Sequence, residues 1–161
     1  MGEYPEEYEE GKIVATPAWL PGVQDAQAGI LMQTSPTADT PSSEGWGPAV
    51  GWTDRARVLE TGSKTCVPLK CYEDVLVIDE YNPDTPDAHQ LKYYARGAGN
   101  VRVGWAGALD DTQEVLELTS LEQLDAAAMT ELRDLAFAME KRAYRLSPDV
   151  YGTTTPLQRE P

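Results

Sequence analysis

The chain is poor in the residues that most often carry chemistry: it has one histidine, one phenylalanine and two cysteines, and its bases are outnumbered, thirteen Lys and Arg against twenty-seven Asp and Glu. One imidazole and two thiols cannot complete a four-ligand zinc site without help from a carboxylate. The resulting net charge of −14 and a pI near 4.3 set the surface against phosphate backbones and anionic membranes, which excludes nucleic-acid binding. No apolar run approaches the roughly 20 residues that cross a bilayer, and no apolar h-region follows Met1. A soluble chain without an export signal of its own is therefore expected. No spacing matches a known catalytic, nucleotide-binding or metal-binding signature, so no cofactor is expected either.

What is there suits one core. With 161 residues, 41% of them apolar, the chain can bury one sizeable core but not two. Residues 1–11, MGEYPEEYEEG, carry five Glu and no base, a density of like charge that opposes compaction unless a positive neighbour lies across the fold. They read as an acidic tail or edge, residues 12–147 as a single domain, and residues 148–161 as a C-terminal tail.

Short β-branched or apolar runs at Lys12–Thr16 and Gly29–Gln33 read as strands, and the Ser, Thr, Pro and Gly of 34–51 as a long loop. Thr53–Thr61 alternates, with Ala56 and Val58 on one face and Arg55, Arg57 and Leu59 on the other. Val75–Ile78 does not alternate, which predicts a central strand covered on both faces. Gln90–Ala95 and Asn100–Trp105 flank RGAG, where Gly97 and Gly99 can take positive φ, so they read as a hairpin; Glu114–Leu118 supplies a last strand. From about Asp125 to Tyr144, Met129, Leu132, Leu135, Ala136, Met139 and Ala143 form an apolar helical stripe, with Asp125 able to cap the first turn and Pro148 to stop the last. The stripe calls for burial across one face of the sheet. The expected fold is α+β: an antiparallel meander of about five to seven strands packed by one C-terminal helix.

Cys66 and Cys71 frame Val67–Lys70, and a hairpin there would oppose them directly. Facing Cβ atoms can then close a disulfide; two free thiols remain the other reading, and a redox or metal site is disfavoured by the spacing. In DEYNPDTPD, Asp79, Asn82, Asp84 and Asp87 offer hard oxygens to Ca²⁺, but the EF-hand glycine and closing Glu are missing, and Pro83 and Pro86 suit a solvated turn. Asp110 and Asp111 fit an ordinary hairpin loop. His89 has no Ser or Cys partner at a recognisable elbow, so it reads as structural. Trp46, Trp52, Trp105, Tyr93 and Tyr94, together with Trp19, supply most of the large aromatic area; exposed together they would make a binding platform, and otherwise they are core.

GKIVAT, PAWLPGVQDAQAGILMQTSPT and VPLKCYEDVLVIDEYNPDTPDAHQLKYYARGAGNVR together resemble an uncharacterised family of bacterial extracytoplasmic proteins, secreted or lipoprotein-like, of which this chain resembles the C-terminal part. The matching positions are Gly11, Lys12, Trp19, Gly29 to Met32, Val67, Pro68, Val75, Leu76, Lys92 to Ala95, Gly97 and Gly99, spanning about Gly2 to Val103. These motifs are structural rather than catalytic. Relatives begin upstream, with a signal segment and further strands, so the resemblance implies a fragment or a sheet with an open edge. Gly45–Trp52 departs from the Tyr-rich segment of the relatives. An envelope or secreted setting is oxidising and favours the Cys66–Cys71 bond. The functional expectation is a non-enzymatic extracytoplasmic domain that binds a protein or small ligand through its sheet surface. The alternatives are a hydrolase with an acidic cleft, which would need converging carboxylates or His89 beside one of them, and a subunit that assembles by edge-strand pairing.

Overall fold

A computed structural model describes residues 2–108 and 113–158, so Asp110 and Asp111 lie outside the described residues. Its strands are β1 (Glu7–Glu9), β2 (Lys12–Ala15), β3 (Gln27–Ala28), β4 (Pro41–Ser43), β5 (Gly45–Trp46), β6 (Arg55–Cys66), β7 (Cys71–Tyr81), β8 (Ala88–Ala95), β9 (Gly99–Gly107) and β10 (Leu116–Glu117). Two helices follow, α1 (Ala126–Leu146) and α2 (Pro148–Tyr151). The chain divides into two compact units, one formed by residues 1–28, 47–51 and 123–161, the other by 29–46 and 52–122.

The second unit is an antiparallel sheet in the order β10-β9-β8-β7-β6-β4, so the α+β class and the meander read from the sequence are present. Successive strands are neighbours because short turns join them. Gly97 and Gly99 sit at φ +75° and +87° in the β8–β9 turn. The β6–β7 turn pairs Cys66 with Cys71, 3.9 Å apart at Cα, and the disulfide is formed. Val75, Val77 and Ile78 are all buried, as an uninterrupted apolar run requires. Alternation sends Val75 and Val77 to one face, where they meet Val67, Tyr72, Ala95 and Val101, and Ile78 to the other, with Ala56 and Val58. Leu31, Met32 and Pro36 share a small cavity with that second trio, so a loop covers this face.

Gly29–Gln33, expected as a strand, is not one: pairing stops at Ala28, and Ile30, Leu31 and Met32 are 40–57% exposed. Gly29 is packed so closely on the chain at Glu44 that a Cβ there would stand 2.1 Å from the Glu44 carbonyl carbon. That contact fixes the backbone course and leaves the following apolar run with little ladder of its own. The loop expected over 34–51 carries the short β4 and β5 and a turn of 3-10 helix at Pro48–Val50.

The first unit joins the acidic N-terminus to the helices. Glu6 receives both Arg142 Nε (2.8 Å) and Nη2 (2.9 Å), a fork-on-carboxylate pair, so the positive neighbour that the Glu-rich segment needs comes from α1. Tyr151 stands edge-on to Tyr4 and Tyr144, and Ser147 bonds Thr16. Asp125 caps α1 by accepting from the Ala128 amide at 2.8 Å. Burial of the apolar stripe is confined to its far end: Ala143 is fully buried, while Met129, Leu132 and Leu135 are about half exposed. Contacts in its last turns, Arg142 to Glu6 and Tyr144 to Tyr151, tie this helix to its unit.

Candidate functional site

Strand β7 ends its apolar run with two acids, Asp79 and Glu80, and both are buried. Neighbouring residues of a strand face opposite ways, so the two carboxylates enter different environments.

Asp79 is completely engaged. One oxygen takes Arg57 Nε at 2.9 Å and Nη2 at 2.7 Å, and the other meets His89 Nδ1 at 2.7 Å. The second ring nitrogen of His89 meets the Pro86 carbonyl at 3.0 Å, so both nitrogens face acceptors and the doubly protonated ring satisfies both. The hydrogen bond to Asp79 is the main reason the His89 pKa lies above its ordinary value. Tyr81 stacks on the imidazole, with centroids 5.5 Å apart. His89 is thus held at both ring nitrogens, without a free nitrogen to serve as a base.

Glu80 finds its partners on the other face. The register Ala56–Glu80–Gln90–Trp105 puts Glu80 and Gln90 on one face, and the next rung on that face, Val58–Ile78–Lys92–Val103, brings the Lys92 ammonium to Glu80 Oε2. Oε1 of Glu80 and Oε1 of Glu44 are buried and accept from no other residue; the two side chains hydrogen-bond each other, and the Glu44 amide donates to the Asp54 carbonyl at 3.1 Å. Burial first, and then the charge of Glu80, pushes the Glu44 carboxyl up to about 8, so it keeps its proton at neutral pH. Burial alone would lower the Lys92 pKa, but the Glu80 ion pair outweighs it and the net displacement is upward. Burial also raises Tyr94, two residues further along the same face, and the Glu80 charge adds to it.

Glu80 stands in the wall of a cleft of about 500 Å³ where β6 begins, β7 ends and β8 begins. Asp54, Tyr81, Asn82, Gln90 and Glu114 share that wall, and Gln90 Nε2 donates to Glu114 Oε2 at 2.8 Å. Glu44 does not line the cleft; its carboxyl meets Glu80, which does.

The five aromatic candidates are not assembled on one face. Tyr93 and Tyr94 point to opposite sides of β8, and Tyr93 lies under the Arg102 guanidinium at 5.4 Å. Trp105 is 41% exposed beside Gln90, Trp46 is 37% exposed, Trp52 is half-buried, and Trp19 is buried in the other unit. Of the four oxygen donors considered for Ca²⁺, Asp79 is spent on Arg57 and His89, and Asn82 Oδ1 on the Asp84 amide. Among the described residues, no group of three or more His, Cys, Asp or Glu is placed to hold a metal ion. Sequence reasoning missed Glu44, Glu80 and Lys92. A signal for Glu80 was present, because an acid continuing a strand that is apolar on both faces has no obvious route to water.

No family model, no curated protein and no solved structure matches the chain.

Proposed function

We propose that the sheet unit is a non-enzymatic, extracytoplasmic binding domain that takes a small ligand in the cleft at the Glu80 end of β7. The observation that carries this reading is a concave wall of hydrogen-bonding side chains that includes the buried carboxylate of Glu80, which is held by Lys92 and hydrogen-bonded to Glu44. Burying two acids and an ammonium together is costly, and functional sites are where such a cost is tolerated. The volume falls within the usual range for small-molecule sites. An oxidising compartment suits the Cys66–Cys71 bond, and no described helix is long and apolar enough to cross a membrane, which is compatible with the location that the family resemblance implies.

A hydrolase reading draws on the displaced Glu44 carboxyl. It is weakened because that acid does not line the cleft and because both His89 nitrogens are engaged. Assembly through sheet edges is weakened by their brevity, since β4 has three residues, one of them Pro41, and β10 has two.

A fragment screen on the ¹⁵N-labelled chain tests the binding reading. Bound fragments should move the amides of Tyr81, His89 and Gln90 together. Hits that cluster elsewhere, or turnover of chromogenic ester or glycoside substrates that Glu80→Gln abolishes, would contradict it.

A further inference from the structure

The loop that joins β7 to β8, residues 82–87, is exposed from Pro83 to Asp87 and contributes Asn82 and Thr85 to the lining of the cleft. We propose that His89 is a pH-dependent latch on this loop: the doubly protonated ring ties the Pro86 carbonyl, and loss of the Nε2 proton releases it. The latch acts on the loop itself, whether or not the cleft is occupied.

The imidazole bridges a fixed point and a loose one. Nδ1 meets Asp79 Oδ1 at 2.7 Å, and Asp79 is anchored in the sheet by its burial and by Arg57, which also leaves it no oxygen for a metal ion. Nε2 meets the carbonyl of the exposed Pro86 at 3.0 Å. A neutral imidazole has one donor nitrogen and one acceptor nitrogen, so it cannot serve two acceptors. The remaining proton stays on Nδ1, because a hydrogen bond to a carboxylate is about twice as strong as one to a neutral carbonyl. Nε2 then turns a lone pair toward the Pro86 oxygen, and attraction becomes repulsion. The loop keeps its local turns, with the Asp84 amide on Asn82 Oδ1, the Thr85 amide on the Asn82 carbonyl and the Ala88 amide on the Thr85 carbonyl. Releasing Pro86 therefore loosens the loop and leaves the sheet intact.

The groups that face the ring set where it switches. Asp79 holds it and Tyr81 stacks on it from β7, Arg57 approaches from β6, and β9 opposes it with the uncharged Ala106. Asp54, Glu80 and Glu114 line the same cleft, and Asp84 and Asp87 belong to the loop. The hydrogen bond to Asp79 outweighs both burial and the Arg57 charge, so the ring keeps its second proton to a higher pH than an ordinary imidazole.

The test follows the full chain by ¹⁵N NMR from about pH 5 to 9, recording both ring nitrogens of His89 beside the exchange protection of the Thr85 and Ala88 amides. Nε2 should lose its proton while Nδ1 keeps one, and both amides should lose about fivefold in protection with the same midpoint. His89→Gln offers Pro86 a donor at every pH and should abolish the step. Glu44→Gln removes the nearby carboxyl whose pKa is about 8 and should preserve it. The proposal is overturned if Nδ1 deprotonates instead, if protection stays level while the ring titrates, if the step survives in His89→Gln, or if Glu44→Gln removes it. Should His89→Gln fail to fold, the ring and loop midpoints of the unaltered chain still decide. No ligand enters these measurements, so their failure leaves the binding reading to the fragment screen.

Discussion

Asp79 and Glu80 are adjacent and both buried, yet the structure treats them differently, because a strand alternates: one face offers Arg57 and His89, the other Lys92 and a second acid, Glu44. Removing a donor from the saturated side should cost more than removing one from the surface. Arg57→Met leaves Asp79 with His89 alone, and a loss of about 2–3 kcal/mol is expected in denaturant unfolding. On the other face, Glu44→Gln keeps the shape and removes a group whose proton is held by burial. The sign follows from that. A carboxyl whose folded pKa is about 8, above its unfolded value, destabilises the fold increasingly as pH rises between the two. Glu44→Gln should therefore flatten a decline in Tm between about pH 5 and 8, by a few degrees at the alkaline end.

Each element here rests on one or two local decisions. The Cys66–Cys71 bond closes a very short loop, so Cys66→Ser with Cys71→Ser should cost only about 2 kcal/mol or less in chemical unfolding, and the β6–β7 ribbon should survive. Gly29→Ala is the harsher change, since the added methyl meets backbone at Glu44 that cannot yield; a loss of about 2–3 kcal/mol is expected, together with displaced amide shifts at Glu44 and Gly45. The β7 core, the β8–β9 hairpin, the cysteine pair and the capped α1 were legible because each is encoded within about ten residues, by a run, a turn pair or a period. Glu44 and Lys92 were not legible. Glu44 sits in a Ser/Pro/Gly-rich stretch whose composition reads as loop, and the approach of Gly29 to its backbone and its burial are set by residues distant in sequence. Lys92 becomes a partner of Glu80 through the β7–β8 register, which no single segment contains. The exposure of Met129, Leu132 and Leu135 was equally hidden, since a period reveals which face is apolar and not what lies against it.

Across the whole molecule the titrating groups pull in opposite directions. Arg142 and the tyrosine hydroxyls hold the Glu6 carboxyl down to about 2, so that contribution is present above the ordinary carboxylate range and is lost as pH falls toward 2. His89, raised by Asp79, contributes most below its unfolded pKa and is lost as pH rises through the folded one; Glu44 acts in the same direction. Maximum stability is thus expected on the acid side of neutrality, at about pH 5–6, with Tm falling on either side. A flat profile, or one that peaks above pH 8, would contradict this balance. The account depends most on the state of the buried acids beside the cleft, and side-chain ¹³C NMR reads that state directly. The Glu44 carboxyl carbon should titrate near pH 8, far from the exposed glutamates of the same chain. If it titrates with those glutamates near pH 4–5, Glu44 is an ordinary solvated acid, and the site described here does not exist in solution.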